Sequence, residues 1–502
     1  MTENRLMAIM EAVMANPPEP YVRVYTRLAD EAPDRIALTV GAESVSRGEL
    51  ERRANRLARA YTEKGVALGD YVTIGLPNSV GFVAAVIACW KIGAVPQPIS
   101  YRLPVLERQA IVDLANSALV HGADPEDHPG RACLPLDYQP DASLSDGPHD
   151  EVVSPALKAP TSGGSTGRPK LIVSGTEAVG SSALQEVIFD MRHDDVQLVA
   201  GPLYHNAPFT MVIGGLLMGQ HVVLMPKFEA VAALEAITAS KVSWLQVVPT
   251  MMNKMLKAYE QDPSRYDLSS IRALWHMASV CPPWLKDRWI DLLGPEKVFE
   301  LYGGTEMQAL SIISGTEWLE HRGSVGRPAL GEMTILSEDG SATPVGEVGE
   351  IYMRPGAGMP ATYRYIGAEA KVGNDGWESL GDLGWMDADG YLYISDRRTD
   401  MIVAGGANIY PAEVEAAIEA HPAVHSVVVV GLPHDDLGQA VHAIVQAEGI
   451  TAQDLLAFLQ DRLVRYKVPR TVEFVSAALR DDAGKARRSQ LRDEAIARLS
   501  RV

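Results

Sequence analysis

The chain has 502 residues, 47% of them hydrophobic and 22% charged, so it is too long for one ordinary domain and too apolar to be disordered. Its 45 basic residues against 64 acidic ones leave a formal charge of −19, which argues against a general nucleic-acid binder but not against a small phosphate site. Three scattered cysteines, Cys89, Cys133 and Cys281, with no CxxC pair, argue against a disulfide framework or a structural zinc site and fit a reducing, cytoplasmic setting.

The N-terminal stretch MTENRLMAIMEAVMANPPEP has mixed charges and no apolar centre, so no secretory signal is expected. ELERRANRLARAYTEKG reads as an amphipathic helix closing at Gly65, YVTIGLP as a strand, GFVAAVIACWKIG as a buried helix and AVPQPIS as a strand. This strand–helix–strand order predicts a parallel α/β layer. The apolar run from Phe82 to Trp90 is too short to span a bilayer, so no transmembrane segment is expected. Residues 121–158 are polar and irregular, as a surface connection would be. A second α/β set follows, with strands over HVVLM, VSWLQVVP and IRALWHM and helices between them. From about residue 330 the pattern becomes hairpin-like, with turn signals at Asp339–Gly340 and Asp389–Gly390. A smaller α+β unit begins after Asp396-Arg397-Arg398-Thr399-Asp400, with a helix over PAEVEAAIEA and strands over HSVVVVGLP and HAIVQAEG. The expected division is 1–398 and 399–502.

The segment PTSGGSTGRPKLIVSG carries the first chemical signal. Gly163, Gly164 and Gly167 allow close backbone approach to an anion. Ser162, Ser165 and Thr166 add hydroxyl groups, and Lys170 adds charge, so the loop can wrap nucleotide phosphates. Residues 163–167 also fit G-x-S-x-G, the nucleophile elbow of a serine hydrolase with Ser165 attacking. That elbow requires a helix directly after the serine, whereas Pro169 and the strand-like KLIVSG follow here.

Residues 162–170 resemble the phosphate-binding signature of the adenylate-forming superfamily, which includes acyl-CoA synthetases, luciferase and peptide-synthetase adenylation domains. Gly163 stands where serine is usual. Further signatures follow in order over nearly the whole chain. Leu301-Tyr302-Gly303-Gly304-Thr305-Glu306 resembles Tyr-Gly-x-Thr-Glu, which implies Tyr302 on adenine, Thr305 at the α-phosphate and Glu306 on Mg²⁺. Gly303 and Met277 are counted with the nucleotide-lining residues. Ser379-Leu380-Gly381-Asp382 and Arg397 resemble the two ribose-binding positions. Gly405–Glu413 resembles a segment that turns to the active site only for thioester formation, where Gly406 would let the pantetheine arm pass. Gly484-Lys485-Ala486-Arg487-Arg488 matches Gly-Lys-x-x-Arg, which makes Lys485 the adenylation lysine.

The resemblance implies a large α/β domain, made of two α/β subdomains and a distorted β-barrel, followed by a small mobile α+β domain. It implies a ligase that uses ATP, Mg²⁺ and coenzyme A, with the loop, Thr166, Glu306 and Lys485 sharing the adenylation step. Thr399 occupies the hinge position, where Lys or Asp is usual, and Val403 replaces a lysine of some relatives and is given no catalytic role. Pro202–Pro208 resembles the acyl-pocket segment, which singles out His205, with Trp244, Met252, Met277 and Met307 as candidate apolar walls. The stretches around 201–224 and 281–306 resemble the bile acid–CoA ligase branch, which implies a steroid, alicyclic or arylalkanoic acid. The partners expected are the acid, ATP and CoA, with a homodimer as a candidate assembly. Rival readings are an enzyme loading a carrier-protein thiol, a serine hydrolase and a non-catalytic nucleotide binder.

Overall fold

The parallel strands form where β-branched and aromatic runs alternate with helices. The computed structural model describes residues 11, 13–14, 16–163, 169–356, 358–397, 399–404, 406–434, 436–481 and 484–499. A nine-stranded sheet has at its centre six parallel strands in the order Val298–Gly303, Ala273–Met277, Trp244–Val247, Val196–Val199, His221–Leu224 and Ile36–Val40. Antiparallel strands flank it on both edges. The two faces follow from the period of two along a strand. Trp244 and Trp275 pack on one face with Phe82, Phe189 and Phe209, while Leu245 and Leu274 pack on the other with Met252 and Trp289.

A four-stranded parallel sheet, centred on Tyr71–Ile74 and Leu119–His121, makes a second α/β layer. The helix Arg47–Glu63 begins at Ser46, whose hydroxyl accepts from the Glu49 amide, and the chain turns away at Gly65, with φ +89°. The helix Val80–Lys91 is apolar on every side and buried along all but Gly81, so it lies between the layers. Residues 121–158 are only partly the surface connection expected. Strand Ala132–Leu134 extends the parallel sheet, and His121, His128, Ser154 and Lys158 are buried.

The hairpin-rich region, where the distorted β-barrel was expected, forms an antiparallel sheet of five strands, including Glu332–Leu336, Gly349–Arg354, Glu378–Met386 and Leu392–Arg397. The loop-bearing strands Thr161–Gly163 and Pro169–Ser174 pair with each other, and Pro169–Ser174 also pairs with Tyr363–Ile366. The C-terminal part has its own sheet, built on Val424–His434 and Gly438–Ala447, and its own apolar core. Among the described residues no helix is long and apolar enough to cross a membrane.

One buried ion pair ties the nine-stranded sheet to a helix. Lys286, on the helix Pro283–Leu293, donates to Glu300 Oε2 at 2.7 Å, with both side chains buried and the ammonium 5.0 Å from the Trp318 ring. Removing one member leaves the other charged and desolvated. Lys286→Met is therefore expected to lower unfolding free energy by about 3–5 kcal/mol, read from urea denaturation. A loss below about 1 kcal/mol would show that the pair is not held dry.

Candidate active site

The carboxyl ends of the parallel strands converge, and the candidate residues lie there, as open α/β sheets place their ligand sites. Strand Val298–Gly303 ends in Tyr302 and Gly303, and its neighbour Ala273–Met277 ends in Met277, which is buried. Two non-glycine residues adopt the left-handed region at this edge, Ala278 at φ +76° and Met307 at φ +58°. Such conformations persist where the surroundings hold them in place, and they cluster at functional sites.

Three contacts assemble the centre. The Tyr302 hydroxyl donates to Asp382 Oδ2 at 2.8 Å, and Arg397 Nε donates to Asp382 Oδ1 at 3.2 Å. Asp382 and Arg397 face each other across paired strands, so the register of the antiparallel sheet sets this geometry. An acidic side chain held between two donors, beside an aromatic ring, suits a base and its ribose diol.

The second contact set surrounds Glu306, which is buried. Its Oε1 accepts from the Tyr365 hydroxyl at 2.6 Å and lies 3.7 Å from Lys170 Nζ. Lys170 in turn sits 3.8 Å from the centre of the Tyr365 ring. The Thr362 hydroxyl donates to the Glu306 carbonyl at 2.7 Å, which fixes the turn. The Tyr365 and Lys170 contacts engage Oε1, while Oε2 lies on the side of Gly304, where an added Cβ would approach it to 2.8 Å. A buried carboxylate with one oxygen held by protein donors can offer its other oxygen to a hard divalent cation. Thr305 is half-buried beside it.

The third element arrives from the C-terminal sheet. Asp481 and Lys485 close a tight turn, with Asp481 N donating to Lys485 O at 2.8 Å and Lys485 N donating to Asp481 Oδ1 at 2.9 Å. Arg480 and Arg488 both bind the buried Glu415, which anchors the turn at its base. Gly484, at φ +76°, brings the turn against the helix Pro249–Gln261, where an added Cβ would lie 2.7 Å from Thr250 Oγ1. Burial, and then the charge of Arg397, hold the Lys485 ammonium below the ordinary lysine range, while Asp481 and Glu306 oppose the shift. His205, immediately before the helix Asn206–Leu217, is pushed down to about 3 by burial and by the charge of Lys485, so its imidazole is neutral at working pH.

The expected residues are thus only partly gathered. Lys170, Tyr302, Glu306, Asp382, Arg397, Lys485 and His205 interact within one region. Ser162 and Gly163 lie on the strand Thr161–Gly163, with Ser162 opposite Lys170. Gly164, Ser165, Thr166 and Gly167 fall outside the described residues. The chain continues from this loop into the strand Pro169–Ser174, not the helix that a serine-hydrolase elbow requires. Gly406, at φ +83°, is exposed and has open space where a side chain would project. Trp244 and Met252, expected as pocket walls, are fully buried in the core, where the Trp244 indole donates to Phe189 O at 2.9 Å. Their apolarity serves packing. Tyr365 was not expected at the centre; the only signal for it in the sequence is the alternation of Tyr363 and Tyr365 along one strand.

Comparison with known proteins gives a consistent answer. The AMP-binding enzyme family matches residues 25–363, and the AMP-binding enzyme C-terminal domain matches residues 413–485. A feruloyl-CoA synthase from Amycolatopsis sp is 33% identical over 481 residues, covering 93% of this chain and 97% of that protein. The o-succinylbenzoate CoA synthetase of Bacillus subtilis in complex with its acyl-adenylate intermediate is 26% identical, with a TM-score of 0.79 over 95% of this chain and 98% of that one. The same enzyme in complex with ATP and magnesium ion is 26% identical, with a TM-score of 0.79 over 94% and 99%.

Proposed function

The chain belongs to the AMP-binding enzyme family, and from that premise we propose how its own residues divide the work of an AMP-forming acid–CoA ligase. The reaction uses ATP, Mg²⁺ and coenzyme A. A carboxylate oxygen attacks the α-phosphorus and pyrophosphate leaves; the CoA sulfur then attacks the acyl carbon and AMP leaves. The observation that carries the division of labour is the approach of the Lys485 turn to the edge holding Glu306, Arg397 and His205.

Tyr302 covers the adenine, and Asp382, steadied by Tyr302 and Arg397, binds the ribose hydroxyls. Lys170 and the loop around residues 162–170 hold the phosphates, with Thr166 and Thr305 as donors. Glu306 holds Mg²⁺, which when bound spreads the negative charge that builds on the phosphates. Lys485 donates to the acid's attacking carboxylate oxygens and to the α-phosphate, so that two anions meet beside a cation. His205, neutral beside Lys485, borders the acid without adding a second positive charge.

Residues 1–398 form the adenylation domain and residues 399–502 the moving one. Thr399 is exposed, and its hydroxyl donates to Asp400 Oδ1 at 3.4 Å. Rotation about it removes Lys485 and brings Gly406 to the acyl-adenylate for attack by CoA. The acid is bulky, either arylalkanoic, alicyclic or steroidal. The feruloyl and o-succinylbenzoate relatives favour the aryl class. A mixed acid library incubated with ATP, Mg²⁺ and CoA, with thioesters identified by mass, tests this, and preference for acetate or propionate would reject it.

Tyr365 positions Glu306. Tyr365→Phe keeps the ring over Lys170 but deletes the hydrogen bond to the carboxylate. The Mg²⁺ concentration for half-maximal pyrophosphate release is expected to rise about tenfold, with the acid KM little changed. An equal change in both would assign Tyr365 to general packing.

A further inference from the structure

A second cation lies under the acyl-side helix and has no part in the steps above. Lys158 is 6% exposed, on the segment leading into the glycine-rich loop. Its ammonium donates to Thr210 Oγ1 at 2.7 Å and to Asn206 Oδ1, and it lies 5.4 Å from the centre of the Phe209 ring. All of these partners are neutral. No carboxylate pairs with Lys158 among the described residues, and burial alone lowers its pKa to about 7. A buried ammonium lacking a counter-ion is costly, and structural packing alone does not call for one.

The surroundings show what it serves. Asn206, Thr210 and Gly214 are spaced four apart on the helix Asn206–Leu217, so they share one face. His205, whose ring feels the charge of Lys485, immediately precedes that face. Two further polar atoms there are buried and unpartnered among the described residues, His205 Nε2 and Gln185 Oε1. Gln185 lies against Gly214, where an added Cβ would be 3.1 Å from its Cγ. Lys158 meets the helix over its first two turns, next to His205, and Gln185 lies against it further along, at Gly214. A buried ammonium with an N–H to spare and two unpartnered buried polar atoms along one helix are a set suited to a polar ligand.

We propose that Lys158 is a specificity-determining residue that binds an oxygen substituent on the acid other than the reacting carboxyl group, a second carboxylate in the first place. The proposal rests on the acid–CoA ligase reading and narrows it to acids carrying a second oxygen function. An ammonium has three N–H donors, and two are taken by Asn206 and Thr210, so one is left for the ligand.

The test uses matched acids in the complete ligase assay with ATP, Mg²⁺ and CoA. Phenylpropanoic acid is compared with its 4-carboxy and 4-hydroxy forms, and a steroid side-chain acid with and without ring hydroxyl groups completes the set. For at least one set, the wild-type kcat/KM should favour the oxygenated acid by about 10–100-fold. In Lys158→Met that ratio should fall to within about threefold of unity. Lys158→Gln keeps a polar group of similar length without charge, and serves if the methionine variant does not fold. It should lose the preference for a carboxylate while keeping most of that for a hydroxyl. A wild type indifferent to the second oxygen, or a ratio that survives both substitutions, overturns the proposal while the ligase stands. Absence of thioester from every acid instead overturns the ligase reading itself.

Discussion

Lys485→Ala should abolish acyl-adenylate formation, with a fall of at least about 10²–10³ in pyrophosphate release, while thioester formation from supplied acyl-adenylate stays largely intact. The expectation follows from where the side chain is held. The turn at 481–485 is fixed at its base by Arg480 and Arg488 on Glu415, and Gly484 seats it against the helix that begins at Pro249. Lys485 contributes a cation to a site that otherwise holds two anions apart. The alanine variant removes that cation without touching the Glu415 anchor, so the fold of the small domain should persist. Once the adenylate exists, the acid's negative charge is gone and the lysine has nothing left to offset. Equal loss of both half-reactions would reject this separation.

Glu306→Gln should lower pyrophosphate release by a similar order, about 10²–10³, with no rescue by excess Mg²⁺. The substitution is nearly isosteric, and its amide oxygen can still accept from the Tyr365 hydroxyl that now lies 2.6 Å from the carboxylate. The turn held by Thr362 should also survive, because that bond is to the Glu306 backbone carbonyl. What is lost is charge. The variant should keep the wild-type thermal transition within a few degrees, and supplied adenylate should still be converted to thioester. Retained pyrophosphate release would mean that another carboxylate holds the metal.

The two variants show which parts of this molecule could be read in advance. The parallel layers were legible because strands such as His221–Leu224 and Trp244–Val247 are short, mostly apolar runs between helical patterns, as strands covered on both faces are. That Lys170, Tyr302, Glu306, Asp382, Arg397 and Lys485 come together in one region was legible through short signatures in a fixed order, which a resemblance supplies. Tyr365 and Lys158 were not. Their positions arise from pairing between distant segments, since strand Tyr363–Ile366 pairs with Pro169–Ser174, and Lys158 meets a helix that starts 48 residues later. The misplaced expectation for Trp244 and Met252 has a physical cause as well. Large apolar residues line pockets and fill cores alike, and only the sheet's two faces decide which.

The central claim is that an oxygen of the organic acid attacks the α-phosphorus of ATP. The most direct measurement uses the acid turned over fastest in the library, prepared with ¹⁸O in its carboxylate, and analyses the released AMP by mass. The account predicts AMP carrying one ¹⁸O atom on its phosphate, together with unlabelled pyrophosphate. ADP and inorganic phosphate as products, or thioester formed with AMP free of label, would contradict it.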